Sequence, residues 1–551
     1  MPGDVVEYRW KYMLPWDSNA PYTSGWRGTR WVDNWTRLSN WRIFFHHALP
    51  IRYQKTEMKY NAKHGLTIAG AIPDERRNEG NERSASWQRV DLPGIMDEVH
   101  ARPADEVEAV IVGFQPEDLR YLRGERLSGL PIQQQPWLHA IRFREAKALW
   151  WERVSRKRMP DRQNMLVERF VASECGSLDP IDPVRCLEAL HERIAQEFIY
   201  MPDREWYLDL DMSLARMGDQ VEEERLRDIS RYDLYSKLIN AMHLPYVTAY
   251  LLDARGGSLD DRFTTPMHEN EWLFGVRDGE SVLWMHPKRM RHGWFANELP
   301  FYWEGTSALL IDRLRLVSDD PEPPLFVELP TTVGEANVRW IEHRMEVDLL
   351  SATVRDRVRT YLSGQFSTLG RAAFLGSTMD PTVNTAYGHV PASLAGTRML
   401  TQHAQDVGRN APYRFRDEVD LELVNAVVDE GQGVHSIDLR PFIAHAVPYS
   451  CEREGRDLPF HWDFAQTDQF ILDLKFQQPV DIMDLTRFEL DLSTSGARYT
   501  LSAEVISASE VRIRSRFVVH DPVGSAQEAG RIADLLDAIH AQDRTVRVVI
   551  K

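Results

Sequence analysis

The stretch "NEWLFGVRDGESVLWMHPK", residues 270–288, places a tight turn between two apolar runs. Asp278-Gly279 stands at that turn, and such a dipeptide between apolar runs is the strongest short-range signal for a β-hairpin. Glu271 and His286 lie near the outer ends of the two strands. A hairpin therefore predicts that the carboxylate and the imidazole are neighbours, and it raises the question of what they do.

The segments upstream of the hairpin predict an α+β core. "DPIDPVRCLEALHERIAQEFIY" (179–200) and the stretch that begins at Asp228 have apolar residues at a helical spacing, and "YVTAYLLDA" (246–254) is typical of a strand. A further helical pattern covers residues 134–172. The apolar face of the helix from Asp228 is predicted to consist of Ile229, Tyr232, Tyr235, Leu238, Ile239 and Met242.

Three regions are predicted along this α+β multidomain chain. Residues 1–125 alternate apolar and polar positions as β-strands do, and residues 126–325 contain the helices and the hairpin. The proline- and acid-rich segment 318–330 indicates a boundary. Residues 326–551 are predicted to be strand-rich, with a helical insert near 370–410, a terminal helix in 525–542 and a last strand in 544–551.

The counts of charged residues and the net charge disfavour some classes of binding partner. The chain has 551 residues, with 66 Lys and Arg against 83 Asp and Glu, and a net charge of −17. A general nucleic-acid or anionic-membrane surface requires a positive field, so neither is expected. No apolar run approaches the roughly 20 residues of a transmembrane helix. A protein or peptide partner fits better.

The N-terminal segment has two unusual features. "MPGDVVEYRWKYMLPW" (1–16) has no apolar signal segment and reads as the middle of a β-domain, so we expect the natural start to lie upstream. Residues 16–41 are dense in tryptophan. The irregular spacing of these tryptophans favours core or interdomain packing, with a protein interface or sugar stacking as alternatives.

The three cysteines are Cys175, Cys186 and Cys451, and no CxxC pair indicates a zinc or redox motif. They permit one disulfide at most and do not decide the compartment. We expect Cys186 to pack in the core and Cys175 to be an inert thiol in a loop. Cys186 and His191 are not expected to form a catalytic pair, because a separation of five positions on one helix points their side chains about 140° apart.

The order helix, helix, strand, hairpin in residues 180–290 resembles the transglutaminase-like fold. In that superfamily a helix begins at a nucleophilic cysteine, and two following strands carry a histidine and an aspartate. "LINAMHLPYVTAYLLDA" (238–254) is similar to the body of that helix and the strand after it. "NEWLFGV" (270–276) and "LWMHPK" (283–288) stand where the histidine and aspartate strands would be.

The flanks resemble one bacterial subgroup of the superfamily. "PGDVVEYRW" (2–10) and "SWQRVDLPGIMDE" (86–98) are similar to its N-terminal β-domain of unknown function, and "IDLRPFIAHAVPY" (437–449) and residues 529–551 to its C-terminal β-domain. The resemblance implies a β-sandwich-like first domain without its first strands, a papain-like core and a mainly-β last domain. It also implies a periplasmic or extracellular protein, although the absence of a signal peptide leaves the cytoplasm open.

The resemblance places the nucleophile on Asp228, the histidine on Glu271 and the aspartate on His286, so the whole triad is predicted to be replaced. A carboxylate is a poor nucleophile towards amides, and Asp228 is expected to act as a helix cap, as a first-turn charge or as an exposed residue. Three interpretations of the set stay open. They are a structural ion pair in a decayed cleft, a general acid–base pair, and a cation site.

Other candidate groups give weaker signals. A loose cluster in the last domain falls short of a zinc signature, and it consists of Cys451, Glu452, His461 and Asp463. Ser230 lies beside the nucleophile position without a GxSxG elbow. His46-His47 and "KRMRH" (288–292) are typical of solvated surfaces.

The sequence therefore predicts a non-catalytic transglutaminase-like protein, a pseudoenzyme that acts as a binding or scaffolding module. No cofactor or metal site is predicted. One alternative is a hydrolase with altered chemistry, including metal assistance, at Asp228, Glu271 and His286. Another is residual transglutaminase or cysteine-peptidase activity through Cys186 or Cys451.

Overall fold

The computed structural model describes residues 7, 9, 11, 39–47, 49–61, 65–95, 98–115, 159–176, 182–201, 214–257, 271–287, 295–312, 325–375, 397–407, 414–541 and 544–551. These residues form a strand-rich, multidomain protein with a terminal helix. The first predicted strand, most of the tryptophan-dense stretch 16–41 and the helical pattern in 134–158 lie outside the described residues. No helix in the described ranges has both the length and the apolar character needed to cross a membrane.

The N-terminal region contains two antiparallel three-stranded sheets with the orders β1-β6-β3 and β2-β5-β4. The strands are β1 Ser39–Phe44, β2 Ile51–Asn61, β3 Gly65–Gly70, β4 Glu75–Glu79, β5 Glu82–Leu92 and β6 Ala109–Gln115. A short helix, α1 (Pro103–Glu106), precedes β6. The core of the region contains Phe45, Trp87 and Val110, so the predicted β-structure of residues 51–61 and 109–115 is confirmed.

The predicted helices of the central region are confirmed where the structure describes them. They are α2 Asp161–Cys175, α3 Pro183–Glu197 and α5 Asp228–Ala241, and a short helix that was not predicted, α4 Met217–Glu222, lies between α3 and α5. Helix α3 begins at a proline, and the Asp182 carboxylate accepts hydrogen bonds from the backbone N–H groups of Val184 and Arg185. A proline in the first turn and an aspartate N-cap are favourable because the first N–H groups of a helix have no internal partner. The parallel pair β7 (Ile199–Met201) and β8 (Arg225–Arg227) leads into α5.

The central sheet has the antiparallel order β11-β10-β9-β12-β13. Its strands are β9 Tyr246–Leu251, β10 Glu271–Asp278, β11 Ser281–Met285, β12 Ser307–Asp312 and β13 Leu325–Glu328. The hairpin of β10 and β11 is confirmed, and its turn contains Gly279 with a φ of +60°. This left-handed conformation favours glycine and explains the turn signal in the sequence. One face of the sheet packs on α5, and the other packs on a cluster that includes Trp284 and Trp303.

The C-terminal region is organised around an eight-stranded sheet with the order β16-β17-β15-β14-β21-β25-β24-β23. The strands are β14 Val338–Asp348, β15 Thr353–Ser363, β16 Thr397–Val407, β17 Arg414–Val424, β21 Gln466–Phe476, β23 Leu490–Ser493, β24 Ala497–Ser507 and β25 Glu510–Val519. The pair β14 and β21 is parallel, and the other neighbours are antiparallel. Buried and exposed residues alternate along these strands, so one face of the sheet forms the core and the other faces solvent.

Smaller elements cover the core face of this sheet. A second sheet has the order β18-β19-β27-β22, with β18 Val427–Gly431, β19 Val434–Asp438, β22 Val480–Met483 and β27 Thr545–Ile550. The pair β20 (Phe460–His461) and β26 (Val523–Gly524) and the helices α6 (Gly364–Leu375) and α7 (Ala529–Ile539) complete the region. The predicted apolar face of the terminal helix is buried as expected, at Ile532, Leu535, Leu536 and Ile539.

The helical insert predicted near 370–410 is wrong in its second half. Helix α6 ends at Leu375, and residues 397–407 form β16, which pairs with β17. Two register shifts interrupt this pairing, between Met399 and Thr401 and between Gln402 and Ala404. Each bulge moves the side chains behind it to the other face, and this removes the period-two pattern that identifies a strand in a sequence. Strand β13 pairs with β12, so the part Leu325–Glu328 of the predicted joint 318–330 belongs to the central sheet.

Candidate functional site

Helix α5 begins where the sequence places the nucleophile position. Asp228 is its first residue, Arg227 is the N-cap, and no side chain caps the helix at that position. Asp228 is therefore a first-turn residue, and the interpretation as an N-cap is wrong. Its side chain lies outside the described part of the structure, so its role in a site stays a prediction.

The hairpin does not place Glu271 directly opposite His286. The last cross-strand pair of β10 and β11 is Phe274 with Met285. Extending this register by one step sets His286 against Leu273, two positions along β10 from Glu271. Glu271 itself pairs with Leu251 of β9, and its side chain lies outside the described atoms. The two positions are diagonal neighbours on one face, where residues are about 7–8 Å apart rather than 5 Å.

The sheet separates the imidazole of His286 from the apolar side of α5. The His286 ring lies 4.5 Å, centroid to centroid, from the ring of Trp303, and the side chain is buried. Helix α5 contacts the other face, where the ring of Tyr235 stacks on Phe274 at 5.9 Å. Neighbouring residues of a strand point to opposite faces, so His286 points away from the face that α5 covers.

Helix α5 is buried around most of its circumference, and this corrects the single apolar face that the sequence predicts. Tyr235, Leu238 and Ile239 are buried as expected, whereas the side chains of Ile229 and Tyr232 lie outside the described ones. Polar side chains of the same helix are also buried, at Ser230, Arg231, Asp233 and Ser236. Charged groups at such depth require partners, so the start of α5 is a desolvated polar environment.

A buried histidine contacts this helix. His191 of α3 hydrogen-bonds through Nδ1 to the Tyr235 hydroxyl, and both side chains are almost fully buried. Burial raises the pKa of Tyr235, although the charge of Arg231 opposes the shift. The phenol therefore stays neutral near pH 7, and the contact ties α3 to α5 instead of generating a base.

The cysteines differ from their predicted environments. Cys175 is the last residue of α2 rather than a loop residue, and it forms a disulfide with Cys186 of α3, with a Cα–Cα distance of 5.1 Å. Cys186 is a core residue, as expected, but its sulfur is bonded. The sequence did not identify the pair because the approach of the two helix ends depends on tertiary packing. A disulfide sulfur is not a thiolate nucleophile, so this geometry removes the Cys186 version of cysteine chemistry.

Cys451 is a free thiol buried in the C-terminal region. Its sulfur lies 3.6 Å from the backbone oxygen of Glu452. Burial raises the pKa of the Cys451 thiol, and the charge of Arg456 opposes this shift. A buried protonated thiol is a poor nucleophile.

The predicted cluster around Cys451 lies at a contact between regions. Arg456, beside Glu452, donates from Nη1 to the backbone oxygen of Val99 at 2.9 Å and to the Glu452 carboxylate at 2.6 Å. The Glu98 carboxylate accepts from the backbone N–H of Asp457 at 2.7 Å and of Leu458 at 3.0 Å. These contacts attach residues 98–106 of the N-terminal region to the C-terminal region.

Two further members of the cluster face charges from other regions. His461 Nε2 lies 3.0 Å from the Glu106 carboxylate of α1. Burial raises the pKa of Asp463, against the charges of His100, Arg255 and Arg102, which lower it. Within the described ranges, no group of three or more His, Cys, Asp or Glu side chains has an arrangement that could hold a metal ion. The cluster is thus part of an interface between three stretches of the chain.

A buried polar network lies in the C-terminal core, and sequence reasoning missed it. His445 donates or accepts at both ring nitrogens, with Nδ1 at 3.0 Å from Asp468 Oδ2 and Nε2 at 2.8 Å from Ser515 Oγ. The Ser515 hydroxyl is also 3.2 Å from the Tyr499 hydroxyl. Asp468 makes a bidentate ion pair with Arg339, with distances of 2.7 and 2.5 Å.

This constellation has the residue order of a serine hydrolase triad but lacks access to a substrate. Ser515, Asp468 and the His445 ring are completely buried, and aromatic rings surround the imidazole, with Phe470 at 4.9 Å. Acyl transfer requires a carbonyl carbon within reach of the hydroxyl, which a sealed core does not allow. The network is structural, because its members form hydrogen bonds with one another and so satisfy their buried polar groups inside the core of the sheet.

Comparison with known proteins gives no family by sequence. No protein-family model matches the chain, and no curated protein matches it. Among solved structures, the chain is similar to a candidate protease from Parabacteroides distasonis, with 8% identity over 93% of this chain and 76% of the other and a TM-score of 0.48. It is also similar to a candidate cysteine protease from Cytophaga hutchinsonii, with 13% identity over 45% and 75% of the two chains and a TM-score of 0.17. Neither likeness assigns a reaction to this chain.

Proposed function

We propose that this chain is a transglutaminase-like protein that has lost cysteine catalysis and serves as a binding or scaffolding module for a protein or peptide. One observation carries the proposal, namely the state of the three sulfur atoms. Cys175 and Cys186 are joined to each other, and Cys451 is buried far along the chain from the helix start at Asp228. Acyl transfer in this superfamily needs a thiolate at that helix start, next to a base.

Contacts between regions support a scaffolding role. Gln365 of α6 donates from Nε2 to the backbone oxygen of Leu299 at 2.7 Å and to Glu304 at 2.6 Å. Arg371 of the same helix pairs with Glu298. These hydrogen bonds and this ion pair join the central region to the C-terminal region. The contacts of Arg456 described above join the N-terminal region to the C-terminal region in the same way. These contacts fix the regions relative to one another, so that their surfaces together form one fixed surface that suits the binding of a partner.

Thiol reactivity tests the loss of cysteine catalysis. In folded, non-reduced protein at neutral pH, we expect iodoacetamide to modify none of the three cysteines within minutes, because two are bonded and the third is buried. After unfolding without reductant, only Cys451 should react. Peptide mass spectrometry measures both results, and unfolding with reductant is the control that should expose all three.

Rapid alkylation of Cys186 or Cys451 in the folded protein would overturn the proposal. So would amide hydrolysis or transamidation by the purified chain, if a cysteine substitution abolishes it. Hydrolysis that instead disappears in Asp228→Asn, Glu271→Gln or His286→Gln would replace the proposal with the alternative of altered hydrolase chemistry at those positions.

We also propose that the protein works in the periplasm or outside the cell. The Cys175–Cys186 disulfide supports this location, because disulfides persist in oxidising compartments and are rare in the cytosol. In extracts of the native host quenched with a thiol-alkylating mass tag, we expect the pair to be oxidised. A pair that is fully reduced in the cell would contradict export.

The disulfide should also stabilise the fold measurably. The bond closes a loop with a sequence separation of 11 residues, for which chain entropy gives about 3 kcal/mol. We expect reductant to lower the unfolding midpoint of the wild-type chain in urea accordingly. The double variant Cys175→Ser/Cys186→Ser is the control, since its midpoint should be low and insensitive to reductant.

A further inference from the structure

Two histidines from different regions of the chain meet at one hydrogen bond. The backbone N–H of His461 in β20 donates to the backbone oxygen of His100 at 2.8 Å. The His461 imidazole lies 3.0 Å from the Glu106 carboxylate of α1, and the His100 ring packs on the ring of Phe460 with 5.4 Å between the centroids. We call this set of contacts the histidine contact, and it joins the N-terminal region to the C-terminal region.

Both imidazoles are largely withdrawn from water. The His461 side chain is 12% exposed, and its neighbours Phe460 and Trp462 are buried. His100 is half-buried. A neutral imidazole already has one N–H group, which is sufficient to donate to the Glu106 carboxylate. A second proton would therefore add a charge in a place where little water can hydrate it.

Charged groups of both signs face the two rings, so neither ring lies in a simple acidic site. The described groups that face the His461 ring are Glu106, Arg102 and Arg456. Those that face the His100 ring are Asp463, Glu452 and Arg456. The Glu452 carboxylate already accepts hydrogen bonds from Arg456 and from the backbone N–H of Val99. Because a guanidinium faces each ring, a proton on the ring gains little net attraction to offset its loss of water.

We propose that the histidine contact is a proton-sensitive latch, which opens in mildly acidic solution and releases the segment from His100 to Glu106 from the C-terminal region. The closed form holds neutral rings, and the open form lets charged rings be hydrated. The bonds of Arg456 to Glu452 and to the backbone oxygen of Val99 contain no histidine, so they should persist while the latch opens.

The sign of the pH dependence follows from the closed form. Burial lowers the pKa of His461, and the two guanidinium groups that face the ring add to this effect while Glu106 opposes it. Burial likewise lowers the pKa of His100, in spite of the two carboxylates that face it. In the open form both rings regain the ordinary pKa of about 6.5. The open form thus binds more protons below about pH 6.5, so acid favours opening there, and no change is expected above about pH 7.

Asp463 opposes the two histidines. Burial raises the pKa of its carboxyl group, against the charges of His100, Arg255 and Arg102. A raised carboxyl pKa favours the closed form as the pH falls through it, since the closed form then holds the additional proton. Asp463→Asn removes this opposing effect together with a negative charge that favours a proton on His100. This variant should therefore open more steeply on acidification than the wild type does.

The latch goes beyond the proposed binding role and does not rest on it. The histidine contact contains neither the sulfur atoms nor the start of α5, which carry the proposed loss of catalysis. Failure of either proposal would leave the other standing.

Hydrogen exchange of the full chain, measured at single residues, tests the latch. Between about pH 7.5 and about pH 5.5, after correction for the intrinsic exchange rate, the protection of the His461 N–H should fall several-fold, and by at most about tenfold for each histidine that is protonated. The N–H groups of Asp457 and Leu458 should keep their protection, because the Glu98 carboxylate accepts from both without a histidine.

Glutamine substitutions identify the groups that respond to pH. Glutamine keeps an N–H donor for Glu106 but cannot be protonated in this range. In the double variant His100→Gln/His461→Gln the protection should no longer change with pH, and each single variant should keep part of the change. His520→Gln is the matched control, since His520 is exposed in the same region and its removal should leave the response of the wild type.

The titration of the wild type can contradict the latch by itself, whatever the variants do to the fold. Protection at the His461 N–H that stays constant or increases on acidification would overturn the inference. An undiminished response in the double variant, or a weaker response in Asp463→Asn, would do the same. An equal loss of protection along β21 would show that acid unfolds the whole C-terminal region, and this outcome would also overturn the inference.

Discussion

Arg339→Met is expected to lower the free energy of unfolding by about 3–5 kcal/mol, because it leaves a buried carboxylate without its counter-charge. Arg339 and Asp468 are 1% and 0% exposed, and two hydrogen bonds of 2.7 and 2.5 Å join them. The same guanidinium donates to the backbone oxygen of Ala444 at 2.7 Å. Urea unfolding followed by circular dichroism measures the change.

The control for this prediction is an arginine in an exposed ion pair. Arg357 pairs with Asp420 on the outer face of the same sheet, and Arg357→Met should change stability very little, because water screens such pairs. The double variant Arg339→Met/Asp468→Asn should recover part of the loss, since it removes the stranded charge. An Arg339→Met variant as stable as Arg357→Met would show that the buried network does not hold the core together.

The effect of Arg339→Met should depend on pH. Burial alone would raise the pKa of Asp468, but the charge of Arg339, aided by His445, outweighs it and holds this pKa far below its usual range. A lowered carboxyl pKa contributes stability above the unfolded value of about 4 and loses it as the pH falls further. The difference between wild type and Arg339→Met should therefore be largest near pH 7 and decrease below about pH 4.

Local signals explain which parts of the fold the sequence predicts. The turn at Gly279, the helix from Asp228 and the apolar face of α7 each follow from residues within one element. The strand β16 does not, because its bulges remove the alternation that a strand needs to be recognised. A pattern within one segment predicts that segment, but not what lies against it.

The polar features depend on long-range contacts, which a single sequence does not contain. His445 meets Ser515 across 70 positions of the chain, and the order of β21 and β25 in the sheet decides that contact. The same limit applies to the disulfide, which needs the ends of α2 and α3 to meet. For the predicted site, the hairpin was identified correctly, but the face on which His286 lies follows from the packing of α5 and Trp303. The exposure of Trp340 could have been predicted from the sequence, because the residues of β14 alternate strictly between buried and more exposed positions around it.

The second large effect is expected for Arg456→Met, at the contact between the N-terminal and C-terminal regions. The Arg456 side chain is fully buried and donates to the backbone oxygens of Leu458 at 2.8 Å and Val99 at 2.9 Å. It also lies 3.6 Å from the Glu98 carboxylate, which is itself buried. The substitution leaves that carboxylate without its counter-charge and the carbonyl groups without donors. We therefore expect the free energy of unfolding to fall by about 3–5 kcal/mol.

The loss should be localised, because the same bonds hold residues 98–106 against the C-terminal region. Limited proteolysis should cut Arg456→Met between the two regions faster than the wild type. Hydrogen exchange should increase at the N–H groups of Val99 and Leu458, because the Glu452 and Glu98 carboxylates that accept from them lose the neighbouring guanidinium. Arg453→Met is the matched control three positions away. That arginine is half exposed and pairs with Asp534 and Asp537 on the surface, so its removal should leave the proteolysis pattern unchanged. Identical patterns for the two variants would mean that Arg456 does not fasten the regions together, and that the apolar contact of His100 with Phe460, whose rings are 5.4 Å apart, is sufficient to do so.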